Sequence, residues 1–152
     1  MAENKYSIEE ILTINGQYVG PTKGVSMLPM LKEGRDTIVV VPKTKRLQRL
    51  DVALYKRDGK YIFHRVIQPI DGGYIIRGDN CYEDENIPEE AVFGVLKEFF
   101  RKDKHFFITD KKYLKYAEKR VKSYPRRRFF HTIKQKCKNA VKKVLRCLGI
   151  RK

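Results

Sequence analysis

The chain has 152 residues, 41% of them hydrophobic, and a formal net charge of +16. That length suits one compact domain of roughly 100 residues plus appendages, with a modest buried core. No run of about 18 apolar residues is present, which excludes an apolar spanning helix, and three cysteines with no CxxC spacing support neither a zinc site nor a disulfide framework.

The charge is unevenly placed. Residues 1–100 hold 14 Lys and Arg against 15 Asp and Glu, whereas residues 101–152 hold 20 against 3. A near-neutral body with a basic tail points the tail towards nucleic acid phosphates or the headgroups of an acidic membrane. The first 20 residues lack the basic start and continuous apolar stretch of a secretory signal. A cytoplasmic protein is therefore expected, and the inner membrane face is one place where its tail could attach.

In chain order, Ser7-Ile8-Glu9-Glu10 predicts a helix start, with Ser7 capping and Glu10 reaching back. The helix is short, ending near Asn15-Gly16, and Gly20-Pro21 then punctuates the chain. From Thr37 to Leu96 the texture is β. Thr37–Val41 is a β-branched run, and Val52–Tyr55 and Tyr61–Val66 flank Arg57-Asp58-Gly59-Lys60, a hairpin signal because both central residues tolerate positive φ. Gly73–Arg77 and Ala91–Leu96 predict two more strands. Phe99–Asp110 reads as a transition, and Lys111–Ser123 and Arg126–Leu148 as basic helices separated by Pro125. In the second, Phe130, Ile133, Cys137, Ala140, Val141, Val144 and Leu148 recur at three- and four-residue steps, the mark of an amphipathic cationic helix. The expected organisation is an N-terminal helical segment (1–19), a small, irregular, mainly antiparallel β domain (20–100) and a basic helical tail (101–152).

Nucleophilic chemistry needs a nucleophile, a base, a group orienting that base, and donors facing the oxyanion. Ser26 lies in Gly24-Val25-Ser26-Met27-Leu28-Pro29-Met30-Leu31, where Gly24 lets the backbone bend and Pro29 stiffens the chain after the serine. His64 is the one histidine of the β body, in a strand whose alternation sets His64 and Val66 on one face and Phe63, Arg65 and Ile67 on the other. An imidazole titrates near neutrality and can take a hydroxyl proton and return it to a leaving amine. Asp79, Asp84 and Glu85 come after the next strand, and an acid there would orient the imidazole. Sequence does not choose among the three.

In order, Gly24-x-Ser26-Met27-x-Pro29-x-Leu31, Leu50-Asp51-Val52, His64-Arg65-Val66-Ile67 and Gly78-Asp79-Asn80 resemble the signal peptidase I family and its relatives, the self-cleaving SOS repressors, over about residues 20 to 98. In bacterial signal peptidases and the repressors the base is a lysine; His64 resembles the archaeal and endoplasmic-reticulum type. The resemblance implies a signal-peptidase fold and a Ser/His endopeptidase without metal or cofactor. Ser26 attacks, its amide contributes to the oxyanion hole, and Met27 and Pro29 contact substrate. Where some members carry an oxyanion hydroxyl two residues before the nucleophile, this chain has Gly24. The acid of the reticulum type falls six residues beyond Asp79, on Glu85, beside Asp84; Asp79 is itself a family position. The family holds its peptide as an extended strand beside a sheet edge. The readings carried forward are a peptidase that cuts a leader or other specific peptide, a non-catalytic peptide-binding module, and a self-cleaving repressor-like protein. The tail's candidate partners are an acidic membrane surface, through residues 126–148, and nucleic acid; the third reading is a solvated basic face packed on the body.

Overall fold

The computed structural model describes residues 6–147; Leu148, at the end of the predicted apolar stripe, lies outside them. Helix α1 (Ile8–Asn15) starts where its capping chemistry says it should. The Ser7 hydroxyl accepts from the Glu10 amide at 3.2 Å, and the Glu10 carboxylate accepts from the Ser7 amide at 2.6 Å, so two otherwise orphaned donors are satisfied. Gly16, at φ 69°, closes the helix in the left-handed conformation that a side chain disfavours.

Eight strands come next: β1 (Tyr18–Pro21), β2 (Asp36–Pro42), β3 (Val52–Arg57), β4 (Lys60–Ile70), β5 (Gly73–Arg77), β6 (Glu85–Pro88), β7 (Val92–Arg101) and β8 (Lys104–Phe107). They form one antiparallel sheet in the order β1-β2-β7-β3-β4-β5-β6, with β8 folded back on β7. The β3–β4 turn takes the predicted form. Asp58 and Gly59 both have positive φ, at 51° and 72°, and Arg57 pairs with Lys60 across them. The chain is thus mainly β, with a short helix before the sheet and helices after it.

Three strands were not predicted. β1, β6 and β8 are four residues each, too short for alternation to show, and β1 and β6 end in proline. Gly20-Pro21 is accordingly not a break before the sheet but the end of its first strand. Pro21 sits on an edge, where its missing N–H costs no ladder bond. Likewise Phe99–Asp110 is not a transition: its first half extends β7 and turns into β8.

The sheet buries both faces at its centre. On β3, Val52 and Leu54 join one apolar cluster and Ala53 and Tyr55 the other. The larger cluster takes in Leu12 from α1 and Tyr113 and Ala117 from helix α2 (Lys111–Lys122), so the core runs across the boundaries expected at residues 19 and 100. Gly94 makes room for α1: a Cβ there would stand 3.3 Å from Leu12 Cδ1 and 3.0 Å from Val40 Cγ1. Helix α3 (Tyr124–Cys147) begins at once after α2. The break between the helices falls at Ser123, not Pro125; proline occupies the first turn of α3, where no intrahelical acceptor awaits its N–H. No helix among the described residues is long and apolar enough to cross a membrane.

Candidate active site

Ser26 is half-buried in a tight loop between β1 and β2. Gly24 enters that loop at φ 81°, its amide donating to the Glu33 carboxylate at 2.9 Å. Met27, Met30 and Leu31 bury in the main core and anchor the loop from below. A second tether comes from the turn after β5. The Asn80 amide donates to the Ser26 carbonyl at 2.7 Å, and the Asn80 side chain donates to the Val25 carbonyl at 3.2 Å. Gly78-Asp79-Asn80 therefore holds the Ser26 backbone in place, while the Ser26 amide makes no hydrogen bond among the described residues.

His64 is buried on β4 opposite Ala53 of β3. Its Nδ1 lies 3.2 Å from Glu85 Oε1 and 3.1 Å from the Tyr55 hydroxyl, which itself donates to Glu85 Oε2 at 2.8 Å. Arg57 completes the cluster by donating to the same carboxylate. An ionised carboxylate only accepts, so Nδ1 carries the proton and Nε2 is left with its lone pair. Nε2 lies against Gly78, in the turn whose Asn80 holds the Ser26 backbone. A Cβ placed on Gly78 would lie 2.7 Å from the Cys81 sulfur and from the Ser26 carbonyl oxygen and 3.0 Å from His64 Nε2, so glycine lets the His64 ring and the Ser26 backbone pack closely against one turn. Neither the Ser26 hydroxyl nor Nε2 makes a hydrogen bond among the described residues; in unliganded sites such bonds commonly form only with substrate bound. Burial pushes the imidazole pKa below its ordinary value, the Glu85 charge opposing and Arg57 reinforcing the shift. His64 is thus favoured in its neutral form, with Nδ1 against Glu85 and Nε2 against Gly78.

The three candidate acids separate. Glu85 contacts His64. Asp79 is committed elsewhere: it accepts from Arg65 Nε and Nη2, each at 2.8 Å and buried, and from the partly buried Tyr116 hydroxyl at 3.0 Å. Burial opposes the Arg65 charge, yet Asp79 and Tyr113 outweigh it and hold its pKa above the usual range. Asp84 points away and accepts from Arg77 at 2.6 Å. Tyr55 and Arg57 were not among the residues singled out from sequence, although a signal for Tyr55 was present. Counting back from the Asp58-Gly59 turn pairs Ala53 with His64, and Tyr55, two residues along β3, shares that face diagonally.

Beside Ser26 a groove of about 530 Å³ runs between β1 and the β3–β4 hairpin, with Ile8, Tyr18, Met27, Ile38 and Phe63 among its walls. β1 ends the sheet, with β2 as its one partner among the described strands, and its Tyr18 and Pro21 line the groove. Met27 lines this groove with its buried side chain; Pro29 does not, lying instead in a separate cavity bounded by β8 and α2. Among the described residues no group of three His, Cys, Asp or Glu side chains is placed to hold a metal ion. No protein-family model matches the chain, and no curated protein does.

Proposed function

We propose that the protein is a serine endopeptidase of the signal-peptidase type, with Ser26 as nucleophile, His64 as general base and Glu85 as the acid that orients it. The observation that carries this reading is the setting of His64, whose Nδ1 is engaged by Glu85 at 3.2 Å while Nε2 lies against Gly78, the residue that also packs on the Ser26 carbonyl. In the reaction, an extended peptide lies along the outer edge of β1 with apolar side chains in the groove. Ser26 Oγ adds to the scissile carbonyl as its proton passes to His64 Nε2. The imidazolium is stabilised by Glu85, and the oxyanion accepts from the Ser26 amide. His64 then gives its proton to the leaving amine as the C–N bond breaks, and water, deprotonated by His64, releases the acyl group. Asp79 acts in this reading as a structural acid, and Asp84 has no part.

The setting that suits this reading is the cytoplasm, where Cys81 and Cys137, unpaired among the described residues, remain thiols. Incubating the purified protein and Ser26→Ala with leader peptides and an extended-peptide library tests the proposal by mass spectrometry. Cleavage by the parent and none by Ser26→Ala is the expected result. Equal cleavage by both, or none by either, defeats it. One observation favours a non-catalytic peptide binder, the Ser26 hydroxyl standing without a hydrogen bond to His64; peptide retention without cleavage would identify that case. A product at the mass of a fragment of the chain itself would mark a self-cleaving protein.

A further inference from the structure

The 24-residue helix α3 carries nine Lys and Arg and no acid. At about 100° per residue its apolar side chains gather in an arc of roughly 120°. Phe129, Phe130, Ile133, Val141 and Val144 of that arc are 42–62% exposed, and Lys134 and Lys136 stand on its two borders.

The helix does not turn this arc to the protein. Its contacts with the body come from the opposite side of its first two turns. Tyr124 donates to the Tyr82 carbonyl at 2.7 Å and lies under the Arg77 guanidinium, His131 stacks on Tyr82 at 3.9 Å, and Arg127 donates to the Asp79 carbonyl at 3.1 Å. An amphipathic helix ordinarily packs its apolar side inward, because that is where burial gains most. Here a polar side docks, and two adjacent phenylalanines face water. A partner must therefore supply an apolar medium and anionic groups together, at one surface. Duplex nucleic acid offers phosphates but nothing for the phenylalanines; a second copy of the chain offers an apolar arc but repels it with like charge.

We propose that α3 docks the protein on an anionic lipid bilayer, apolar arc among the acyl chains and Lys and Arg among the headgroups. The helix is about 36 Å long, long enough to lie along the interface. Because Arg127 and Arg120 both donate to the Asp79 carbonyl, the docked helix stays tied to the turn that holds Ser26. Docking is independent of the peptidase reading, since no catalytic group takes part in it.

The test is flotation of the full chain with phosphatidylcholine vesicles, with and without phosphatidylserine, at low and high salt. Co-flotation that requires phosphatidylserine and weakens with salt is expected. Val141→Asp with Val144→Asp, two exposed sites clear of the body contacts, should lower vesicle binding by about tenfold or more. Circular dichroism checks that this variant remains folded. Ser26→Ala should float as the parent does, which keeps this outcome separate from any peptidase result. No flotation with anionic vesicles, binding indifferent to the two aspartates, or binding to duplex DNA that vesicles fail to compete would each overturn the proposal.

Discussion

Asp79→Asn separates the structural acid from the proposed orienting acid, and its size comes from the geometry. Arg65 has no exposed surface and gives Nε and Nη2 to Asp79 at 2.8 Å each. Asparagine keeps the volume but removes the charge and replaces an acceptor with a donor. The guanidinium then remains buried against one neutral amide oxygen in place of a carboxylate, with the Leu50 carbonyl at 3.0 Å and the Tyr113 hydroxyl at 2.9 Å as its other oxygen acceptors. Breaking one side of such a pair costs about 3–5 kcal/mol, because the surviving charge has no route to water. Against a total stability of about 5–15 kcal/mol this is a large share. With a urea slope of roughly 2 kcal/mol per molar, the unfolding midpoint should fall by about 2 M. Glu85→Gln should behave differently: the Glu85 side chain is 22% exposed and its Arg57 partner is 50% exposed, so solvent screens the pair and the loss should be about 1 kcal/mol or less. Urea unfolding followed by circular dichroism measures both. Equal midpoints, or a greater loss in Glu85→Gln, would refute the assignment of Asp79 to the fold and Glu85 to the site.

Five further outcomes are expected. Gly78→Ala should cost about 1–3 kcal/mol of stability, since its Cβ meets the Ser26 carbonyl oxygen and the Cys81 sulfur at 2.7 Å; the proposed cleavage should also fall, because the methyl shifts the His64 ring and the Ser26 backbone relative to each other. The His64 imidazole, monitored by NMR, should titrate below its ordinary value of 6.5; Arg57→Ala should raise its pKa by removing a repelling charge, and Glu85→Gln should lower it. Because the folded pKa is depressed, the stability His64 contributes is complete above pH 6.5 and is lost as the pH falls through the folded value. The proposed cleavage, which uses the neutral imidazole, should persist below pH 6.5 and fail at that same lower pH in a pH–rate profile. Leu12→Ala should cost about 2–5 kcal/mol in urea unfolding, showing that α1 belongs to the core of the sheet rather than to a separate segment.

The features that sequence determined by itself were local. The Ser7 and Glu10 cap, the Asp58-Gly59 turn and the β-branched runs are decided within a few residues, by hydrogen bonds and backbone sterics that do not wait for distant contacts. The order of the boxes around Ser26, His64 and Asp79 also named the residues worth placing. Choosing among the acids required tertiary structure. Asp84 and Glu85 are neighbours in the chain, but β6 begins at Glu85 and pairs it with Ile76 of β5, so the two carboxylates reach different partners: Glu85 finds His64 and Asp84 finds Arg77. Asp79 was removed from the choice by Arg65 and Tyr116, the latter 37 residues away on α2. The short strands β1 and β8 exist because longer strands offer them an edge. The periodicity of α3 was plain from its sequence, yet periodicity has no direction. Only the contacts of Tyr124, Arg127 and His131 with the body decided that its apolar arc faces outward.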